Sequence, residues 1–179
     1  MLIKKTLDNL KQQLKKNNNR LELIFSKGKV ITVGCSFNPP ADPEALKQVQ
    51  ENNDWDIPKD YEAFLLQHNG AQLLQAYLGD MNIGGGLILF SLDEVIQAHQ
   101  NLSMDHMFYP IGMVSEEYLM VKNNKNTPNY LYIEYLDPAP LNMNLELFVD
   151  RYIVSSGDIF WEWPRLDAIN YYKFYSTFK

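Results

Sequence analysis

The chain has 179 residues, 46% of them apolar and 21% charged, which is the size and balance of one globular domain with a substantial core. No apolar run approaches the ~20 residues a membrane span needs, and the lysine-rich N-terminus lacks the apolar stretch of a secretion signal, so the expected protein is cytoplasmic with no membrane partner. The net charge of −6 is unevenly spread: residues 1–30 hold eight Lys and Arg against Asp8 and Glu22, while the remainder holds eight against twenty acids, a field that repels nucleic acid and favours basic partners.

The first element is a helix over residues 2–16, with Leu2, Ile3, Leu7, Leu10 and Leu14 on one narrow stripe and Asn17-Asn18-Asn19 ending it. Two strand-like runs follow, Leu21–Phe25 and Val30–Phe37, joined by a turn at Ser26-Lys27-Gly28-Lys29. Cys35, the single cysteine, sits in the second run; one thiol excludes an internal disulfide and fits a reducing compartment. Asp42-Pro43-Glu44 opens a helix that turns Ala45, Leu46 and Val49 inward. Pro58 suits the first position of another, carrying Tyr61, Phe64, Leu65 and His68 on one face, with Gly70 as its left-handed cap.

Leu73–Leu78 is a short apolar run, Gly79-Asp80-Met81-Asn82 reads as a turn, and Ile83-Gly84-Gly85-Gly86 leads into a strand at Leu87–Phe90. Ser91 and Glu94 form a capping box for a helix reaching Asn101. Strands are predicted at Phe108–Val114, Tyr118–Lys122 and Tyr130–Leu136, a loop at Asp137-Pro138-Ala139-Pro140, a helix at Leu145–Val154, and a last helix from Pro164 through Tyr175. Consecutive strands without βαβ alternation predict an α+β fold with a largely antiparallel sheet flanked by helices. Residues 1–40 read as a helix-hairpin extension packed on the body and residues 41–179 as the main domain, one globular unit in all.

No catalytic constellation emerges. Cys35 and the three histidines, His68, His99 and His106, lack a nucleophile context, and a structural thiol is the simpler role. His99, His106 and Asp105 do not match a zinc spacing. Gly84-Gly85-Gly86 is followed by Leu87-Ile88-Leu89, where a P-loop needs Lys and Ser or Thr, so it reads as a bulge entering a strand. Neither cofactor nor metal is expected. The cluster Phe160, Trp161, Trp163, Tyr171, Tyr172, Phe174, Tyr175 and Phe178 divides between core and interface roles, since large aromatics serve both.

The ordered stretch Trp55-x-Ile57-Pro58-x-x-Tyr61-x-x-Phe64-Leu65-x-x-x-Asn69-Gly70 resembles the signature of the SUKH superfamily, of Smi/Knr type. Leu89-Phe90-Ser91-Leu92-Asp93-Glu94-Val95, Tyr109-Pro110-Ile111-Gly112 and the late helix Leu145–Ile153 resemble further pieces in the right order. The family's Gly-x-Gly-Asp turn is replaced here by Met113-Val114-Ser115-Glu116-Glu117, and its second Gly after Asn-Gly by Ala71. The resemblance implies a non-catalytic binding protein, most often an immunity protein that occludes a toxin such as a nuclease. A regulatory scaffold binding a cellular protein is the alternative, and an unrecognised hydrolase the next. The partner expected is a basic toxin domain, met by Asp80, Asp93, Glu116 and Glu117 in turns and helix starts and by Trp161 and Trp163. Trp55, Ile57, Pro58, Tyr61, Phe64, Asn69 and Gly70 are expected to define the fold.

Overall fold

Helix α1 (Leu2–Lys16) buries Ile3, Leu7, Leu10 and Leu14, the stripe that 3.6-residue spacing produces. Asn18 and Asn19 then take positive φ, a conformation asparagine tolerates, and end the helix. The computed structural model describes residues 1–25, 28–104, 106–124, 127–134 and 136–166. Asp105, Tyr135, most of the predicted last helix and the aromatics Tyr171, Tyr172, Phe174, Tyr175 and Phe178 lie outside them.

Strands β1 (Leu21–Phe25), β2 (Lys29–Phe37), β3 (Ala71–Leu78), β4 (Met81–Gly84), β5 (Leu87–Leu89), β6 (Phe108–Val114), β7 (Glu117–Lys122), β8 (Leu131–Ile133) and β9 (Ala139–Pro140) form one sheet. Its order is β1-β2-β3-β5-β6-β7-β8-β9, with β4 paired to β3 off that path, and every pairing is antiparallel. Helices α2 (Pro43–Asn53) and α3 (Lys59–Leu65) connect β2 to β3, α4 (Leu92–Asn101) connects β5 to β6, and α5 (Leu145–Val154) follows β9. This is the α+β arrangement the strand order implied. Helices α1, α3 and α5 pack on one another, and their apolar residues meet Val33, Leu73, Leu87 and Ile111 of the sheet in one core.

Several local readings are corrected. Met81–Gly84 is a strand and the turn is only Gly79-Asp80, so the chain doubles back as a hairpin one residue earlier than expected. Ala139–Pro140 pairs with β8 although proline removes a donor, because an edge strand leaves one side unpaired anyway. Pro164 lies within a 3-10 helix, Phe160–Leu166, and does not open an α-helix there. Pro58 is the residue before α3, with extended backbone (φ −60°, ψ 145°), one position short of the place expected for it.

The Trp55–Gly70 stretch shows why its residue types are needed. Trp55 stacks on Tyr109 of β6 with ring centroids 4.7 Å apart, and Ile57, Tyr61, Phe64 and Leu65 are buried. Asn69 ties three segments together: its N–H donates to Pro39 O (2.8 Å), its carbonyl accepts from Asn38 Nδ2 (2.7 Å), and its Oδ1 accepts from the Leu92 N–H at the start of α4 (2.9 Å). Gly70 has φ +95°, but it is not the cap of α3, which ends at Leu65. A Cβ on Gly70 would stand 2.9 Å from Ser91 N and 3.0 Å from Leu89 O, so glycine lets β3 start close against the β5–α4 junction.

Candidate functional site: an acidic, apolar end of the sheet

Leu78, Met81 and Ile83 are 68%, 60% and 57% exposed, three large apolar side chains on the short β3–β4 hairpin. Leu78 lies on the same face of β3 as Ala76, which pairs with Val33, so the apolar surface runs inward from the hairpin onto β2. A groove of about 500 Å³ continues it, walled by Ile31, Val33, Leu74 and Ala76 and closed at one side by Tyr152 and Gly157 beyond α5. Its rim carries Ser115 and Glu116.

Three features shape this end. β3 holds an extra residue where it pairs with β2, and Leu74 there has φ +55°, with its N–H donating to Cys35 Sγ at 3.3 Å. The chain between β4 and β5 passes through Gly84, Gly85 and Gly86, all at positive φ, and the Gln75 side chain donates to the Gly85 carbonyl. The β6–β7 turn at Ser115-Glu116 is left-handed at both residues (φ 51° and 69°), which turns the Glu116 carboxylate to solvent beside the groove.

The four acids expected at the partner surface do not stay together. Asp80 is at the tip of the β3–β4 hairpin, Glu116 is in the β6–β7 turn and Glu117 is the first residue of β7, all exposed and at the same end of the sheet. Asp93 is in the first turn of α4, which follows the other end of β5, where Leu89 pairs with Ala71. The two tryptophans also part. Trp161 packs on Phe148 (5.5 Å) and Phe160 (5.3 Å), whereas Trp163 is 50% exposed beside Arg151 and Val154, its Nε1–H donating to Asp158 Oδ2 at 3.3 Å.

Sequence reasoning missed Leu78, Met81 and Ile83. The signal was present: a Gly-Asp pair between an apolar run and the alternating Met81-Asn82-Ile83 is a hairpin pattern. From Ala71 to Leu89 and from Phe108 to Val121 the charged residues are Asp80, Glu116 and Glu117, so the strands that form this end carry no Lys or Arg there. A cation does reach these strands from outside them: the guanidinium of Arg20, just before β1, lies over the Tyr77 ring of β3, 3.6 Å from its centroid.

The groups weighed for chemistry are placed as follows. Burial pushes the Cys35 thiol up to about 11. His68 lies against Phe37 and the Lys11 ammonium. His99 and His106 line one small cavity with Trp55 and Asp54. Among the described residues no group of three or more His, Cys, Asp or Glu side chains is placed to hold a metal ion, and no helix is long and apolar enough to cross a membrane.

One antiparallel sheet, with helices in its connections and packed on one another, defines an α+β scaffold. The chain belongs to the SMI1 / KNR4 family (SUKH-1), whose match spans residues 40–178. It is similar to Uncharacterized protein YobM of Bacillus subtilis (strain 168), 37% identical over 182 residues that cover 96% of this chain and 97% of that protein. It is also similar to Uncharacterized protein YnaB of the same organism, 26% identical over 148 residues, 78% of this chain and 94% of that one. The likeness to the first takes in the α1 and β1–β2 segment that the family match leaves out.

Proposed function

We propose that this chain is an immunity-type protein that docks on a basic toxin domain and blocks it by occlusion, using the hairpin end of its sheet. The observation that carries the reading is the coincidence of Leu78, Met81 and Ile83, exposed and apolar, with Asp80, Glu116 and Glu117, and with no Lys or Arg in β3, β4 or the β6–β7 turn. Contiguous exposed apolar surface on a soluble domain marks an interaction site. Carboxylates around it steer a basic partner and raise the encounter rate, while the desolvated apolar contacts hold the complex. Membership of the SUKH-1 family supports a protein partner in general; the toxin is the finer part of the reading.

The test is co-expression with the product of the adjacent gene in the native host. The expected result is a purified complex and restored growth of cells carrying the toxin domain. In that complex the triple variant D80K/E116K/E117K should weaken binding by at least about tenfold, and added salt should weaken the wild-type complex. A stable complex indifferent to both would remove this surface from the proposal. Binding without any effect on growth would favour a regulatory scaffold instead.

A further inference from the structure

The same hairpin has an open edge. β4 pairs with β3 along its inner side, and among the described residues no strand pairs with its outer side. The cause is the glycine run: Gly84, Gly85 and Gly86 bend the chain between β4 and β5, so β6 pairs with β5 as far as Val114 and then turns back at Ser115-Glu116 without reaching β4. Around the two-residue turn Gly79-Asp80, Leu78 and Met81 form the closing pair. Pairs in an antiparallel ladder alternate between bonded and non-bonded, so Asn82, opposite Tyr77, points its N–H and C=O outward.

Soluble proteins usually protect such an edge with lysine, proline or an inward charge. β4 has none of these, and is guarded only by its length of four residues and a register shift against β3; its sequence is Met-Asn-Ile-Gly, with both large residues exposed. Resting on the reading above, we infer that β4 is the strand to which the toxin domain adds an extended segment of its own. That segment pairs with Asn82 through its main chain, sets apolar side chains against Leu78 and Met81, and brings basic side chains to Asp80, Glu116 and Glu117. A second copy of this chain would bring no basic side chain of β3 or β4 to Asp80, so the edge favours a partner that carries cations of its own. β4 is only four residues long, so the main-chain bonds fix register and the side-chain contacts supply most of the area.

The experiment uses the full chain with the toxin domain encoded by the adjacent gene as the probe, and reads backbone hydrogen exchange with and without it. The expected result is exchange at Asn82 slowed by at least about tenfold in the complex. In parallel, Asn82→Pro removes the outward donor, a substitution edge strands tolerate, and Asn82→Ser keeps it. Proline should weaken binding by about tenfold or more and serine by less than about threefold. A complex in which Asn82 exchanges as in the free protein overturns strand addition and leaves the occlusion reading standing. Failure of that probe to bind at all overturns both. Should Asn82→Pro not fold, the exchange measurement on the wild-type chain decides alone.

Discussion

The Tyr130 hydroxyl donates a 2.6 Å hydrogen bond to Asp60 Oδ1 and accepts one from the Leu145 N–H at 3.0 Å. It thereby joins α3, the start of β8 and the start of α5. The other oxygen of Asp60 accepts from the Glu146 N–H at 3.2 Å, so this buried carboxylate is satisfied from two sides at a helix start, where negative charge is favoured. Burial raises the Tyr130 phenol, with the Asp60 charge adding to it, so it stays a donor at any ordinary pH.

Tyr130→Phe keeps the ring and removes that donor. Leaving a buried carboxylate oxygen short of a partner costs about 1–3 kcal/mol. Urea unfolding should show a lower midpoint with an unchanged slope. A loss under about 0.5 kcal/mol would mean that solvent reaches Asp60 and replaces the phenol.

Gly86 and Gly84 separate steric contact from backbone strain. Both have positive φ (73° and 87°), but a Cβ on Gly86 would stand 2.3 Å from Leu73 O, whereas nothing lies within 4 Å of one on Gly84. Gly84→Ala should cost about 1 kcal/mol, from the left-handed conformation alone. Gly86→Ala must also displace the β3 backbone, and should cost at least about 2 kcal/mol more. Equal losses in thermal or urea unfolding would contradict the close approach of the glycine loop to β3.

Acid should weaken the packing of α1 through His68. Burial, its largest influence, holds this imidazole below its ordinary range; the Lys11 ammonium pushes the same way, and the Asn38 carbonyl and Asp8 oppose them. The unfolded chain therefore takes up a proton first as pH falls. The contribution is neutral above the ordinary histidine range near 6.5 and turns unfavourable as pH drops through it toward the lower folded value. Wild-type protein should lose more melting temperature between pH 7.5 and pH 5.5 than His68→Gln does. An equal loss in both would assign the acid sensitivity to other groups.

Cys35 should be silent toward thiol reagents. Desolvation outweighs the Leu74 N–H that bonds its sulfur, and at about 11 the thiolate is on the order of a thousandth of the population near pH 8. A disulfide reagent should modify the urea-unfolded chain at least about a hundredfold faster than the folded one. Rapid labelling of the folded protein would show that the β2–β3 bulge opens readily.

The sequence was most legible where one periodicity or one cap decided the outcome. Helix α1 follows from its apolar stripe, and α4 from its capping box, in which the Ser91 N–H donates to Glu94 Oε2 at 2.7 Å. The signature around Trp55 and Asn69 was visible as an order of residues, but its purpose was not. Asn69 acts through segments 31 residues before and 23 after it, pairings that no local pattern encodes. The partner surface was half legible. Acids in turns could be found one by one, yet which of them share an end of the sheet depends on strand order, and this parted Asp93 from Asp80, Glu116 and Glu117. Met81 and Ile83 were lost because an exposed apolar strand of four residues looks, in sequence, like a turn running into a glycine loop.

Helix α1 has no side-chain cap of its own. Its first N–H groups donate instead to Glu146 Oε2, at 2.7 Å from Leu2 and 3.2 Å from Ile3, and Thr6 Oγ1 donates to Asp150 Oδ1 at 2.6 Å. These partners are 143 or 144 positions away along the chain. On the ribosome, α1 emerges well before α5 and must therefore wait for it before it is capped and its leucines are covered. A nascent chain stalled ahead of Glu146 carries an unshielded Ile3-Leu7-Leu10-Leu14 stripe, the kind of surface that chaperones and proteases act on. Emergence of α5 thus doubles as a checkpoint, since only then does α1 gain its place.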